Sequence, residues 1–223
     1  MENYNEKMKA ILNNSVEENI WHDGVLCPDF YFSPENSVKI LFLLREAYIE
    51  EPLKPTFNFI NHLLTESKSK GTHPNIARIT QMIYALKNGG SSTWSELSGK
   101  ETERKESMKK IALINAKKSP NRESKQTDWK TFPAIFEQNG PLLIQQIELC
   151  NPDIIICGGV YDLYKKIILG VEDNEHDIEV PNGFRYTNYG GRIAVDSYHP
   201  ATYGRVFSVF SSKIENTLKQ IYQ

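Results

Sequence analysis

The chain has 223 residues, 39% of them apolar and 24% charged, the make-up of an ordinary soluble protein with one well-buried core. Its net charge of −2 excludes a globally basic nucleic-acid coat but leaves room for a local basic patch. No apolar run reaches the roughly 18 residues needed to span a bilayer, and the opening MENYNEKMKA lacks the basic-then-apolar order of a secretory signal.

In chain order, residues 4–20 read as an amphipathic helix, and 21–34 as an irregular stretch broken by Asp23-Gly24, Pro28 and Pro34. VKILFLL (38–44) is a continuous apolar run, which suits a strand covered on both faces. Residues 57–66 and 76–87 read as helices, with His73-Pro74 leading into the second and Asn88-Gly89-Gly90 ending it. A polar stretch with a short helix (91–110) precedes the second strand, IALINA (111–116). GPLLIQQIELC (140–150) is expected as a helix with proline near its first turn. DIIICGG (153–159) is the third strand and 161–169 the helix after it. FRYTNY (184–189), Gly190-Gly191 and RIAVDSY (192–198) form a hairpin signal, its second arm entering the sheet. The end, from Phe207, is helical.

Apolar strands alternating with helices predict an α/β protein, a three-layer α/β/α sandwich around a mainly parallel sheet of about four strands. No repeat or linker divides the chain, so residues 1–223 read as a single domain. Cys27, Cys150 and Cys157 are too few for a disulfide framework and include no C-x-x-C, so free thiols in a reducing cytoplasm are expected. His22, His62, His73 and His176 lack metal-ligand spacing. Neither a glycine-rich phosphate loop nor a G-x-S-x-G nucleophile elbow occurs. A nucleotide-cofactor enzyme and an α/β hydrolase of the serine type therefore lack their main signatures.

In an open parallel sheet, ligands bind beyond the carboxyl ends of the strands. The first strand is followed by Arg45-Glu46-Ala47-Tyr48-Ile49-Glu50-Glu51 and the second ends in Asn115-Ala116-Lys117-Lys118-Ser119-Pro120-Asn121-Arg122. The third ends in Gly158-Gly159 and the last runs into Tyr198-His199-Pro200-Ala201. A carboxylate, a carboxamide and an imidazole on one rim can position water, read a polar ligand edge and stabilise a leaving anion.

The order of these segments resembles the uracil-DNA glycosylase superfamily, nearest its bacterial and archaeal iron–sulfur branch. That branch carries G-E-A-P-G, here Arg45-Glu46-Ala47-Tyr48-Ile49. It has an Asn before a K-C-R-P-P-x-N-R type run, here from Asn115 to Arg122. Its P-x-x-I-I-x-x-G pattern is similar to Pro152 to Gly159, one residue shorter, and its H-P-A or H-P-S to His199-Pro200-Ala201. The resemblance spans about residues 38–206. Two departures stand out: Ser119 occupies a cluster-cysteine position, so neither an iron–sulfur cluster nor any other cofactor is expected. Arg45 replaces a glycine that would let backbone approach the substrate, and could instead reach a phosphate or block the pocket.

The resemblance implies hydrolysis of the bond between a flipped base and deoxyribose in DNA, a repair reaction. Glu46 would orient water and face the sugar cation, and His199 would donate to the base oxygen that becomes anionic. Asn115 would pair with the base edge. Phe59, or Phe57, would stack on the base, and Tyr48 would wall the pocket. With no lysine placed among the motif positions to form a Schiff base, the enzyme would be monofunctional, acting as a monomer. Lys117, Lys118, Arg122 and Arg205 are the expected phosphate contacts. Six basic residues against one acid between Lys109 and Lys125 give that stretch a local charge of +5 beside Asn115. The alternative is a non-catalytic member that binds nucleic acid or a nucleobase, with Arg45 as its motive.

Overall fold

The structure, a computed structural model, describes residues 2–48, 59–65, 72–97, 100–121, 126–171, 176–202 and 205–222. Seven strands form one mixed sheet: β1 (Gly24–Val25), β2 (Ile40–Leu44), β3 (Ile111–Asn115), β4 (Ile154–Gly158), β5 (Asp177–Ile178), β6 (Tyr186–Tyr189) and β7 (Arg192–Ser197), in the order β1-β3-β2-β4-β7-β6-β5. The four central strands β3, β2, β4 and β7 are mutually parallel, and β1, β6 and β5 pair antiparallel outside them. The apolar runs read as strands are those four.

Alternation along the strands separates two cores. Ile40, Phe42 and Leu44 of β2 face one side, with Ile111 and Leu113 of β3, Ile154 and Ile156 of β4, and Val195. They pack against α3 (Phe59–Thr65), α4 (Thr72–Lys87), α5 (Glu101–Met108) and α8 (Arg205–Tyr222). Leu41, Leu43, Ala112, Ile114, Ile155, Cys157 and Ala194 face the other, covered by α1 (Glu2–Leu12), α2 (Pro28–Tyr31), α6 (Phe132–Cys150) and α7 (Tyr161–Leu163), which continues as a π turn through Tyr164–Leu169. Helices thus cover both faces. Each large aliphatic side chain buried here contributes about 1.5–3 kcal/mol, which is why these runs lack polar residues. No helix among the described residues is long and apolar enough to cross a membrane.

Four readings need correction. The first helix stops at Leu12 rather than running to residue 20: Asn13-Asn14-Ser15 offer the backbone local polar partners, and Asn19 sits at φ 54°. The helix expected over 140–150 begins at Phe132, with Pro133 in its first turn and Pro141 in its interior. The helix survives Pro141 because buried Phe136, Leu142, Leu143 and Ile147 anchor it on both sides, and Gly140 has no room for a side chain against Ile167. Tyr186, not Phe184, opens β6, because the Phe184 N–H donates to Thr217 Oγ1 (2.7 Å) instead of to a strand. The sheet also exceeds the expected four strands, since the two-residue β1 and β5 carry too little pattern to read. The hairpin is as expected: Tyr189 pairs with Arg192 across Gly190-Gly191, whose φ of 61° and 79° suits a type I′ turn.

Candidate functional site

The carboxyl ends of the parallel strands converge on a cavity of about 400 Å³, the size of a small-molecule site. Leu44 pairs with Asn115, and the two chains stay joined beyond the strands. The Ala116 N–H donates to the Leu44 carbonyl (2.8 Å), Lys117 N–H to that of Arg45 (2.9 Å), and Asn121 N–H to that of Ala47 (2.8 Å). The resulting double-stranded rim carries Arg45, Glu46, Ala47 and Tyr48 on one side and Asn121 on the other, all lining the cavity. Leu113 and Asn115 leave β3 on the same side, two residues apart, and both line it too.

His199 arrives from the end of β7. Its turn is fixed by Thr202, whose N–H and hydroxyl both donate to the His199 carbonyl (3.0 and 2.7 Å), and by Asn75 Nδ2, which donates to the Pro200 carbonyl (2.7 Å). The turn lies so close to β4 that a Cβ on Gly158 would stand 2.6 Å from Leu44 Cδ2, 3.1 Å from Pro200 Cδ and 3.5 Å from His199 Cα. That close approach is the physical content of the glycine in the strand motif. The Ala201 N–H donates to His199 Nδ1 (3.1 Å), so the neutral ring carries its proton on Nε2. Burial, aided by the charge of Arg45, pushes the His199 pKa down to about 3, so the ring is neutral throughout the physiological range.

Glu46 Oε2 is buried without a hydrogen-bond donor among the described residues, and Arg45 Nε without an acceptor. Burial lowers the Arg45 pKa and Glu46 raises it, with burial the larger effect. The Arg45 guanidinium lies 5.7 Å from the ring centroid of Trp129, a side chain that is 53% exposed.

A buried polar assembly supports the Asn115 loop from behind. Asp23 Oδ2 accepts the Asn115 N–H (2.7 Å), Lys118 Nζ lies 3.2 and 3.1 Å from the two Asp23 oxygens, and Gln146 Nε2 donates to Oδ1 (2.9 Å). Glu17 accepts the N–H groups of Lys118 (2.7 Å) and Ser119 (3.0 Å) and Asn139 Nδ2 (2.7 Å). Burial alone would raise the Glu17 pKa, but these bonds and the Ser119 hydroxyl outweigh it and hold the carboxyl below its usual range.

Of the residues expected at the site, Glu46, Asn115, His199, Phe59 and Tyr48 all line this one cavity. Phe59 serves both readings weighed for it: it is a core side chain, 4.5 Å from the Trp21 ring, and also part of the cavity wall. Tyr48 is 37% exposed. Phe57 and Arg122 lie outside the described residues, and so does the side chain of Arg205.

The basic patch is corrected. Lys118 cannot meet a phosphate: its side chain is fully buried against Asp23, and burial lowers its pKa despite that partner. Lys109 and Lys110 stand at the amino end of β3, a strand length of roughly 17 Å from the cavity end. Lys109 pairs with Glu106 (2.6 Å) and Lys110 lies 4.5 Å from the Tyr84 ring centroid. Among the described residues of that stretch only Lys117 remains near the rim, half-buried and outside the cavity lining.

Sequence reasoning missed Trp21, His62, His73 and Thr127 as lining residues. For His62 a signal existed, since Phe59, His62 and Leu63 share one helical face at i, i+3 and i+4 and all three line the cavity. Trp21 and Thr127 sit in irregular segments and had none. Among the described residues no group of three or more His, Cys, Asp or Glu side chains could hold a metal ion.

A scan of the sequence against protein-family models finds no match, and a search of curated proteins finds no relative.

Proposed function

We propose that this protein is a monofunctional DNA glycosylase of the uracil-DNA glycosylase type. It hydrolyses the bond between C1′ and the nitrogen of a flipped uracil or modified base. The observation that carries this reading is that Glu46, Asn115 and His199, from three separate strand ends, line one cavity. The four parallel central strands with helices on both faces support it at the level of fold.

The chemistry follows from the residues. The C1′–N bond breaks with its electron pair going to the base nitrogen, leaving positive charge on the sugar. Water bonds to C1′, and its proton passes to the Glu46 carboxylate and from there to the departed base. Glu46 faces the sugar cation and orients the water. His199, neutral and carrying its proton on Nε2, donates to the base oxygen as negative charge builds there. A preorganised donor of this kind is worth about 3–4 kcal/mol in the transition state. The Asn115 amide offers a donor pair and an acceptor to the N3–H and O4 edge of uracil. DNA is the partner, the monomer the acting unit, the cytoplasm the compartment, and no cofactor takes part.

The binder reading is kept because of two observations: a cation, Arg45, stands in the cavity, and Lys109, Lys110 and Lys118 are lost from the phosphate face. One experiment separates the two. Labelled oligonucleotides containing uracil, hypoxanthine, xanthine or modified cytosine, single- and double-stranded, are incubated with protein and then cleaved with alkali. A glycosylase leaves alkali-labile abasic sites that disappear with Glu46→Gln. A binder retards the same oligonucleotides and leaves them intact.

A further inference from the structure

Two opposite charges occupy the cavity wall side by side in sequence, yet neither buried atom is satisfied by the other. Arg45 Nε has no acceptor and Glu46 Oε2 no donor among the described residues. What holds the guanidinium is the ring face of Trp129, 5.7 Å away, and an aromatic face uses up no N–H donor. The cation also reaches His199 electrostatically. Arg45, Glu46 and His199 all line the same space. A neutral ligand would leave these two buried polar atoms without partners, a costly arrangement. A sugar bearing positive charge beside a base bearing negative charge, as arises when the bond between them breaks, would satisfy both.

We propose that Arg45 forms an anion subsite of this cavity and that its ligand is the ionised nucleobase. This inference rests on the reading of the cavity as a nucleobase site. As the C1′–N bond breaks, the base leaves with the bond's electron pair and is an anion. Glu46 faces the sugar, where positive charge develops, and Arg45 faces the base, beside the Nε2–H of His199. Arginine at the position of a glycine therefore neither blocks the pocket nor serves a phosphate. It supplies a full positive charge where a neutral imidazole supplies only a dipole.

The test is direct binding, independent of turnover. 5-Nitrouracil, whose ring N–H ionises near neutrality, and uracil, which stays neutral, are titrated at pH 8 into the wild-type protein, Arg45→Gln and Arg45→Lys, with inorganic phosphate as competitor. The wild type should bind the nitrouracil anion at least tenfold more tightly than uracil. Arg45→Gln should bring the two affinities together, and Arg45→Lys should keep part of the preference and show that charge at a folded site is responsible. An unchanged preference in Arg45→Gln overturns the inference. So does phosphate competition that Arg45→Gln abolishes, which assigns the cation to a phosphate. Uracil binding without any anion preference overturns the anion subsite alone. Absence of binding by both bases overturns the nucleobase reading and the subsite with it.

Discussion

Replacing Asp23 by Asn tests whether the Asn115 loop is held from behind by charge. Three donors converge on the Asp23 carboxylate: the Asn115 N–H at 2.7 Å, Gln146 Nε2 at 2.9 Å and Lys118 Nζ at 3.1–3.2 Å. Asparagine keeps the shape but offers one acceptor oxygen, so its NH2 must face a donor. Lys118, whose side chain is fully buried, is left without a counter-charge. Breaking a buried pair in this way costs about 3–5 kcal/mol. At about 2–4 °C per kcal/mol for a chain of this size, Tm falls by roughly 10 °C. Burial already lowers the Lys118 pKa, and without Asp23 it falls further. The unfolded variant then binds more protons than the folded one, so the stability of Asp23→Asn rises as pH climbs toward the free-lysine value of roughly 10. Thermal and urea unfolding followed by far-ultraviolet circular dichroism measures both effects. Removing the orphaned ammonium as well, in Asp23→Asn/Lys118→Met, should return at least half of the loss. A single variant within about 1 kcal/mol of wild type, or a double variant no better than the single, refutes the reasoning.

Three further outcomes are expected. Gly158→Ala should fold but lose about 1–3 kcal/mol by overpacking against Leu44 and Pro200, and should weaken uracil binding because the His199 turn is pushed outward; unchanged melting and binding would contradict the contact distances. His199, held to about pH 3 by burial and by Arg45, should show no titration between pH 5 and 8 in its ring NMR signals. Because its folded pKa lies below the unfolded one, the unfolded chain takes up the extra proton, and His199 lowers stability progressively as pH falls from roughly 6.5 toward 3. His199→Gln should flatten that part of the stability-against-pH curve. Trp129→Ala, which removes an exposed ring from over Arg45, should change unfolding free energy by about 1 kcal/mol or less.

The four buried strands were legible because a strand covered on both faces must be apolar at every position, as ILFLL (40–44) and IIIC (154–157) are. Their carboxyl ends then placed Glu46, Asn115 and His199 together with no further information, since parallel strands end on one side. The limits were equally physical. β1 and β5 are two residues long, and no periodicity can be read from two residues. Pro141 signalled a helix start because proline is best tolerated there, whereas packing on both sides carries α6 through it. Lys118 read as a surface cation because composition carries no information on the buried Asp23 that faces it from 95 positions away. Trp21 and Thr127 reach the cavity from irregular segments whose course depends on long-range bonds, such as the Trp21 N–H to the Lys118 carbonyl (3.0 Å).

The central claim is that three strand ends form one base-excising pocket. Single-turnover base release from labelled single- and double-stranded oligonucleotides containing uracil, hypoxanthine, xanthine or modified cytosine tests it most directly, with wild type, Glu46→Gln, Asn115→Ala and His199→Gln run side by side. The account predicts release by the wild type and a loss of roughly a hundredfold or more when Glu46 or His199 is changed, the magnitude of a removed transition-state donor or base. Asn115→Ala should release uracil more slowly and discriminate it less well from cytosine. No release by the wild-type protein, or release that persists undiminished in Glu46→Gln and His199→Gln, contradicts the account.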